Sequence, residues 1–308
     1  MGNQIKTTVL LAVMMGFFMV IGQLLGGRQG LIIAFFFAAG LNFFSYWYSD
    51  KIVLRMYKAR EVMPGQETEL YGIVQNLAAK AGLPTPKVYI IPQESPNAFA
   101  TGRSPEHAVV AVTEGLLKIM NRDELAGVLG HELSHVKNRD ILIGSIAATM
   151  AGAIMMLASM ARWSAIFGFG GDDREGGIFG LILMSILAPI AALLIQTAIS
   201  RSREYQADAS GAHLAGNNEG LAHALEKLGS YSNRQPVNAN PSTAHMFIVN
   251  PLSGQKMMSL FSTHPPLNDR IARLRGFKGP GDAPAPPTRG KDGMNLDQGK
   301  AFWDRLSR

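Results

Sequence analysis

Four long apolar runs most strongly limit what this chain can fold into. They cover residues Thr7–Leu25, Leu31–Tyr48, Ile141–Ala161 and Phe179–Ala198. Each is close to the roughly 20 residues that a helix needs to cross the hydrocarbon core of a bilayer. Hydrophobic residues make up 47% of the chain and charged residues only 17%, which is too few charges to cover a soluble surface of this size. The sequence therefore predicts a membrane protein with four helical spans.

Short connections pair these runs. The first two are separated only by Gly26–Gly30, which predicts a tight helical hairpin. A cleaved signal peptide is the competing interpretation of the first run, and it is disfavoured because a second span follows at once without a clear cleavage site. Pro189 predicts a kink in the fourth run.

Charges beside the runs predict the orientation. Basic residues flank them on the side of the termini and of the polar segments: Lys6, Lys51, Arg55, Lys58, Arg60, Lys137, Arg139, Arg201 and Arg203. By the positive-inside rule, both termini and the polar segments lie in the cytoplasm, against the inner face of the cell membrane. The net charge of +6 is modest and clusters beside apolar runs, which suits anionic lipid headgroups and excludes nucleic acid as the expected partner. Cysteine is absent, so no disulfide or cysteine metal site forms.

The polar segments predict a small sheet and several helices. Three apolar stretches, Lys87–Pro92, Asn97–Gly102 and His107–Thr113, are typical of strands and predict a small antiparallel β-sheet. A helix is predicted to begin near Arg122, with acidic residues in its first turn, and to run through His135. The fold class expected is mostly α with this small sheet, in a four-span helical membrane protein.

The segment His131-Glu-Leu-Ser-His135 on this helix carries the clearest chemical signal. Histidines four residues apart project from one helix face, so both imidazoles can reach one zinc ion at about 2.0–2.1 Å. Glu132, at the side of that pair, can take a proton from a water molecule on the metal. A helix with two ordinary surface histidines is the alternative. The apolar residues Leu125 and Val128 weaken it, because they indicate a half-buried face.

A catalytic zinc site needs a third protein ligand, which must come from further along the chain. The continuation Val136–Asp140 lacks the glycine and third histidine of the metzincins. Glu204 is the ligand we expect, because the two intervening spans return the chain to the same membrane face. Asp208 lies one turn later and can orient a ligating imidazole. An exposed amphipathic helix is the alternative for this segment.

At this point the sequence resembles the HtpX branch of the membrane metallopeptidases related to the CaaX prenyl proteases. The resemblance covers nearly the whole chain. It rests on the N-terminal hairpin, Pro96–Gly102, the segment His131–Asp140, the segment Ser202–Asp208, and Thr263–Pro266 with Arg270. It implies one Zn²⁺ per chain, held by His131, His135 and Glu204, with Glu132 as general base. It also implies a gluzincin-like catalytic domain and a role in clearing damaged or misassembled membrane proteins under stress.

The resemblance implies two further assignments. Residues Asn97, Ala98, Phe99 and Ala100 resemble an edge strand that binds an extended substrate, for which a buried hairpin strand is the alternative. His264 is implied as a hydrogen-bond donor to the developing oxyanion, or else as a structural histidine beside Pro265. Arg270 is expected to anchor the helix that begins after Pro266. The remaining histidines, His107, His213, His223 and His245, are expected on the surface or in packing.

These residues divide the chain into five parts. They are an N-terminal transmembrane hairpin (1–48), the first part of the catalytic domain (49–140), a second transmembrane hairpin (141–198), the second part of the catalytic domain (199–276), and a Gly/Pro-rich linker and tail (277–308). The expected function is a zinc-dependent endopeptidase that cleaves misfolded or damaged membrane proteins on the cytoplasmic side. A membrane scaffold or holdase with an inert metal site is the alternative. A transporter is disfavoured because the spans hold few ionisable residues. The sequence leaves the oligomeric state open.

Overall fold

The computed structural model describes residues 3–167, 201–234, 246–248 and 265–276, and these belong to one compact unit that ends at Gly276. The predicted fourth span with Pro189, the residue His264 and the tail 277–308 lie outside the described residues. The division into five parts stays a prediction.

The N-terminal hairpin is confirmed. Helix α1 (Asn3–Met56) is interrupted by non-helical backbone at Gly26 and at Gly27, where φ is 55°. The two halves, Ile5–Leu24 and Gly26–Met56, are each long and apolar enough to cross a membrane. They pack so closely that a side chain on Gly22 would strike the backbone of Gly30. Glycine therefore makes both the turn and the contact between the two halves.

The predicted third span begins where the sequence places it. Helix α5 (Ile141–Phe167) starts at the first residue of the apolar run. Its buried face packs against α1 in a cluster that includes Leu10, Met14, Phe18, Ile143, Ile146, Met150 and Ile154. The preceding helix α4 (Arg122–Lys137) meets α5 at a bend of 92°. Among the described residues there are two candidate spans, or three if this bent pair counts as one.

The sheet has four strands and is mixed, so the prediction of an antiparallel sheet is wrong. Strands β1 (Arg60–Val62), β2 (Lys87–Ile91), β3 (Ala98–Thr101) and β4 (Val109–Thr113) lie in the order β1-β2-β4-β3. After β2 the chain passes to the outer edge, forms β3, and returns as β4 between them. Strand β4 therefore runs parallel to β2, while β3 and β1 pair antiparallel with their neighbours. Strand β1 was not predicted because three residues are too few to show an alternating pattern.

Helices surround the central helix α4. The others are α2 (Thr68–Ala81), α3 (Glu114–Ile119), α6 (Arg201–Ala215), α7 (Asn218–Arg234) and α8 (Leu267–Gly276), with a short 3₁₀ turn at Pro105–His107. Helix α4 begins at Arg122, as predicted. Its first turn is closed by a capping box, in which Asn121 and Glu124 each bond the other's backbone N–H. Helix α4 contacts α2, α6, α7 and β3, so it lies at the centre of the described polar part.

Helices α4 and α6 touch backbone to backbone at two glycines. A Cβ on Gly130 would lie 2.5 Å from the carbonyl oxygen of Gly211, and a Cβ on Gly211 would strike the backbone of Gly130 and His131. Residues seven apart lie on one helix face. Glu204 therefore lies on the face of α6 that meets α4, two turns before Gly211.

We expect Gly211→Ala to separate the two helices. Overpacking a close contact costs about 1–3 kcal/mol, so the variant should melt several degrees lower than the parent and lose bound metal. Thermal unfolding and metal content of the full chain in detergent measure both effects. Gly72→Ala on α2 is the matched control, because no atom lies within 4 Å of an added Cβ there. A Gly211→Ala protein with parental melting temperature and metal content would contradict the role given to this contact.

Candidate metal centre

His131 and His135 of α4 meet Glu204 of α6 in the interior of the described part. The two Nε2 atoms are 3.2 Å apart. Glu204 Oε1 lies 3.5 Å from His135 Nε2, and Glu204 Oε2 lies 3.8 Å from His131 Nε2. Ligand atoms at zinc distances of 2.0–2.2 Å in tetrahedral geometry lie about 3.3–3.5 Å from one another. The three side chains thus have the spacing of ligands to a single small cation.

The other ring nitrogen of each histidine faces a carboxylate. His131 Nδ1 lies 2.9 Å from Asp208 Oδ1, at contact distance but outside hydrogen-bond alignment, and His135 Nδ1 lies 3.3 Å from Asp140 Oδ2. A carboxylate at Nδ1 favours the proton on that nitrogen and leaves Nε2 as a lone pair. Two lone pairs and a carboxylate that converge in a buried space repel one another unless a metal cation or a proton lies between them. The donor set therefore fits a metal ion such as zinc.

Arg270 holds Asp208 in place. The guanidinium donates from Nε and Nη2 to the two carboxylate oxygens, at 2.8 and 2.6 Å, and from Nη1 to the carbonyl of Ile248 at 3.0 Å. Burial alone would raise the pKa of Asp208, but the charge of Arg270 outweighs it and lowers the pKa to about 2. Asp208 therefore lies beside the imidazole of His131, and its role in orienting that ring stays a prediction. Arg270 anchors α8 through this buried pair, a partner that the sequence analysis did not identify.

A second carboxylate and a second arginine lie beside His135. Asp140 Oδ1 accepts from Arg203 Nη1 at 2.8 Å, while its other oxygen faces His135. Burial alone would raise the pKa of Asp140, but the bonds from His135 and Arg203 lower it. No role was predicted for Asp140 from the sequence, and Arg203 was expected only as a basic residue beside a span. Their contact joins residues 63 positions apart in the chain, which local patterns do not reveal.

Glu132 is buried and bonded to the sheet. Its Oε2 accepts the backbone N–H of Ala100 at 2.9 Å. Burial raises the pKa of Glu132, with Glu204 adding to the rise, while His131 and His135 oppose it. A carboxylate with a raised pKa is better suited to accept and return a proton near neutral pH. This bond also places the carboxylate next to the outer strand of the sheet.

Strand β3 forms one edge of the four-stranded sheet. Asn97 exchanges bonds with Thr113, donating its N–H to Oγ1 at 2.8 Å and accepting the Thr113 N–H at 2.9 Å. By the alternation of a strand, Ala98 and Ala100 then direct their backbone groups away from β4. Asn97, Ala98 and Phe99 are buried and Ala100 is partly exposed. Ala100 is therefore the one partly exposed position among these four, and its outward N–H is already hydrogen-bonded to Glu132.

The three other histidines that the structure describes lie outside this cluster. His107 is exposed and contacts Arg103 at 2.7 Å, His223 lies 3.4 Å from Glu219 on its own helix, and His213 is exposed. His245, like His264, lies outside the described residues.

Comparison with known proteins adds a family to this geometry. The model of peptidase family M48 matches residues 64–278. A protein named "Protease HtpX homolog" from Desulfatibacillum aliphaticivorans is 66% identical over 310 residues, covering 99% of this chain and 100% of that protein. One of the same name from Thermococcus kodakarensis is 60% identical over 274 residues, covering 88% and 94%. Among solved structures, S. mikatae Ste24p matches 88% of this chain and 65% of its own at 19% identity, with a TM-score of 0.49.

We expect metal binding by the metal-free protein to depend steeply on pH. Burial lowers the pKa of His135, but the hydrogen bond with Asp140 and the charges of Glu204 and Glu132 outweigh burial and raise it to about 9. In neutral solution His135 therefore carries a proton that zinc must displace. The apparent affinity for Zn²⁺ should rise about tenfold per pH unit between about pH 7 and pH 9, and level off above.

Zinc titration against a competing chelator, with proton release measured by calorimetry in buffers of different ionisation enthalpy, gives both quantities. His213→Gln removes an exposed histidine and should leave the slope unchanged. A zinc affinity that stays flat across this range, with no proton released at neutral pH, would contradict the raised pKa.

Proposed function

The chain belongs to peptidase family M48 and is a membrane metalloprotease, and from this premise we propose that it is a zinc-dependent endopeptidase that cleaves misfolded or damaged membrane proteins on the cytoplasmic side. The observation that carries the proposal is the convergence of His131, His135 and Glu204, beside a glutamate that is bonded to an edge strand. One Zn²⁺ per chain is the proposed cofactor. When bound, it would polarise the attacking water and the scissile carbonyl.

The remaining steps belong to the protein's own side chains. Glu132 accepts a proton from the water molecule while the oxygen of that water forms a bond to the carbonyl carbon of the substrate. It then delivers that proton to the nitrogen of the leaving amine as the C–N bond breaks. The bond from Ala100 N–H fixes one oxygen of Glu132 and leaves the other for this transfer. Burial around the site excludes bulk water, which strengthens each of these interactions.

The position of strand β3 at the edge of the sheet suits a substrate that binds in an extended conformation. A polypeptide that adds to the edge of a sheet is bound mainly through its backbone, so little sequence is read. That suits an enzyme whose substrates share a damaged or unfolded state. Ala100 is the partly exposed residue of this strand and lies against Glu132, so we propose that the scissile bond of the substrate lies beside Ala100, whose N–H stays hydrogen-bonded to Glu132. The role implied for His264, an oxyanion donor, remains a proposal without structural description.

The membrane arrangement is proposed as four spans with both termini and the catalytic parts in the cytoplasm. Two candidate spans support this orientation, together with the basic residues in the last turns of the second span and just beyond it, Lys51, Arg55 and Lys58. The chain has no cysteine, so single cysteines introduced into the loops and termini can be labelled from each side of the membrane to test it.

We expect Glu132→Gln to abolish hydrolysis while zinc stays bound. The amide cannot accept the proton, and general-base catalysis contributes about 10²–10⁴-fold. Cleavage of a casein-like substrate by the full chain in detergent, with zinc content measured in parallel, gives both results. Glu69→Gln, an exposed glutamate on α2, is the control that should cleave like the parent. A Glu132→Gln protein that cleaves as fast as the parent would show that the catalytic assignment is wrong.

We expect backbone methylation of a peptide substrate to slow cleavage at alternate positions. In a paired strand, every second N–H bonds the neighbouring strand, and the loss of one such bond costs about 1 kcal/mol, or about five- to tenfold in kcat/KM. A series of peptides with one N-methyl group moved along the chain measures this with the unmodified enzyme. Equal effects at all positions, or none, would mean that substrates do not bind by strand addition.

A further inference from the structure

We propose that Asp140 and Arg203 form a positioning pair that holds the imidazole of His135 for the metal. The inference rests on the proposed metal site. It gives a role to two residues that are neither proposed metal ligands nor the proposed general base. Three observations carry it: the way α4 ends, the source of the arginine, and a matching arrangement at the other histidine.

The end of α4 brings Asp140 to His135. Arg139 has a left-handed backbone with φ of 57°. The N–H of Asp140 donates to the carbonyl of His135 at 2.9 Å, and the N–H of Arg139 donates to the carbonyl of Val136 at 3.0 Å. These are the two bonds of a Schellman motif, which places the second residue after the helix cap beside the third helical residue from the end. An apolar pair often occupies those two positions. Here they are a carboxylate and a ligand imidazole, with Asp140 Oδ2 at 3.3 Å from His135 Nδ1.

Arg203 comes from the other ligand-bearing helix. It precedes Glu204 on α6, and its Nη1 donates to Asp140 Oδ1 at 2.8 Å. The side chains of Arg203 and Asp140 are 16% and 8% exposed. A carboxylate so buried is costly to keep in the interior without a charged or hydrogen-bonding partner. The guanidinium keeps one oxygen of Asp140 engaged and leaves the other directed at His135.

The same arrangement occurs at His131. There the carboxylate of Asp208 faces Nδ1, and Arg270 donates hydrogen bonds to both oxygens of that carboxylate. Each ligand imidazole therefore has its own carboxylate, and each carboxylate has its own arginine. Partners of this kind fix the tautomer and the ring orientation of a ligand, and their loss typically weakens metal affinity about 10–100-fold.

The test replaces Asp140 by asparagine in the full chain, purified in detergent and stripped of metal. We expect Asp140→Asn to bind Zn²⁺ about 10–100-fold more weakly in competition with a chromophoric chelator. The visible absorption of the Co²⁺-loaded protein should also change, because one ligand is no longer fixed in orientation. Asp123→Asn makes the same chemical change at an exposed position of the same helix and should leave both readouts at parental values.

Arg203→Gln provides the second variant. It keeps Asp140 but removes the donor that orients it, so zinc affinity should fall here as well. The double variant should be no weaker than the more affected single variant, because both changes break one unit. If Asp140→Asn folds and keeps zinc affinity within about twofold with an unchanged Co²⁺ spectrum, the inference is overturned. If Asp140→Asn does not fold, the same two parental readouts from Arg203→Gln overturn it, as do fully additive losses in the double variant.

His135→Ala separates this inference from the proposed function. If His135→Ala binds zinc as tightly as the parent, the proposed metal site itself is wrong. If His135→Ala loses zinc while Asp140→Asn retains it, the metal site stands and the positioning role of Asp140 is overturned.

Discussion

The backbone contact between Gly130 of α4 and Gly211 of α6 is the constraint on which the candidate site depends. His131 and His135 are placed relative to each other by the helix they share, and this needs no tertiary structure. Glu204 is 69 residues from His135 in the chain, and its distance from the imidazoles is set only by how closely the two helices approach. A side chain at either glycine would strike the backbone of the other helix and push the axes apart. The two glycines therefore set how closely Glu204 approaches the two imidazoles.

The charges of the described interior, like the distances among His131, His135 and Glu204, fit a site for a single cation. Four carboxylates (Glu132, Glu204, Asp140 and Asp208) lie around two guanidiniums (Arg203 and Arg270) and two imidazoles. With neutral imidazoles, this set of side chains carries a net charge of −2, and an excess of like charge in a buried space is costly. A divalent cation at the Nε2 atoms would balance that charge. The raised pKa of His135 has the same origin, because a proton there supplies part of the missing positive charge when no metal is bound.

The parts of this site that could be predicted from the sequence are those that the periodicity of a single helix determines. The pair His131 and His135, and the step from Glu204 to Asp208, each follow from spacing of one turn. The choice of Glu204 needed one more argument, the return of the chain to the same membrane face. What the sequence did not show depends on long-range packing or on the end of a helix. Asp140 lies beside His135 because α4 closes in a Schellman motif, and Arg203 reaches it only once α4 and α6 are packed.

In the sheet, too, the location of strands follows from local sequence, whereas their arrangement depends on long-range packing. Apolar stretches located β2, β3 and β4 along the chain, but the order of the strands is a tertiary property. Strand β4 lies between β2 and β3 because it pairs with both, and this makes one of the pairings parallel. The consequence for function is that β3 stays at the edge. A sheet with the strands in chain order would have placed β3 in the middle, where no substrate could pair with it.

The apolar helix α5 is attached to the candidate site at two points. Thr101 at the end of β3 is bonded to Ser145 of α5 at 2.7 Å, in a buried contact one turn from the start of that helix. Asp140, which faces His135, is the last residue before α5 begins, and α5 is held in turn by the apolar face of α1. The edge strand and one metal ligand are thus both attached to the first turn of a helix that packs against a candidate span. In the proposed orientation, this attachment fixes the height of the cleavage site above the bilayer surface. If the substrates are misassembled membrane proteins, as proposed, the segments within reach are those that leave the membrane beside the enzyme.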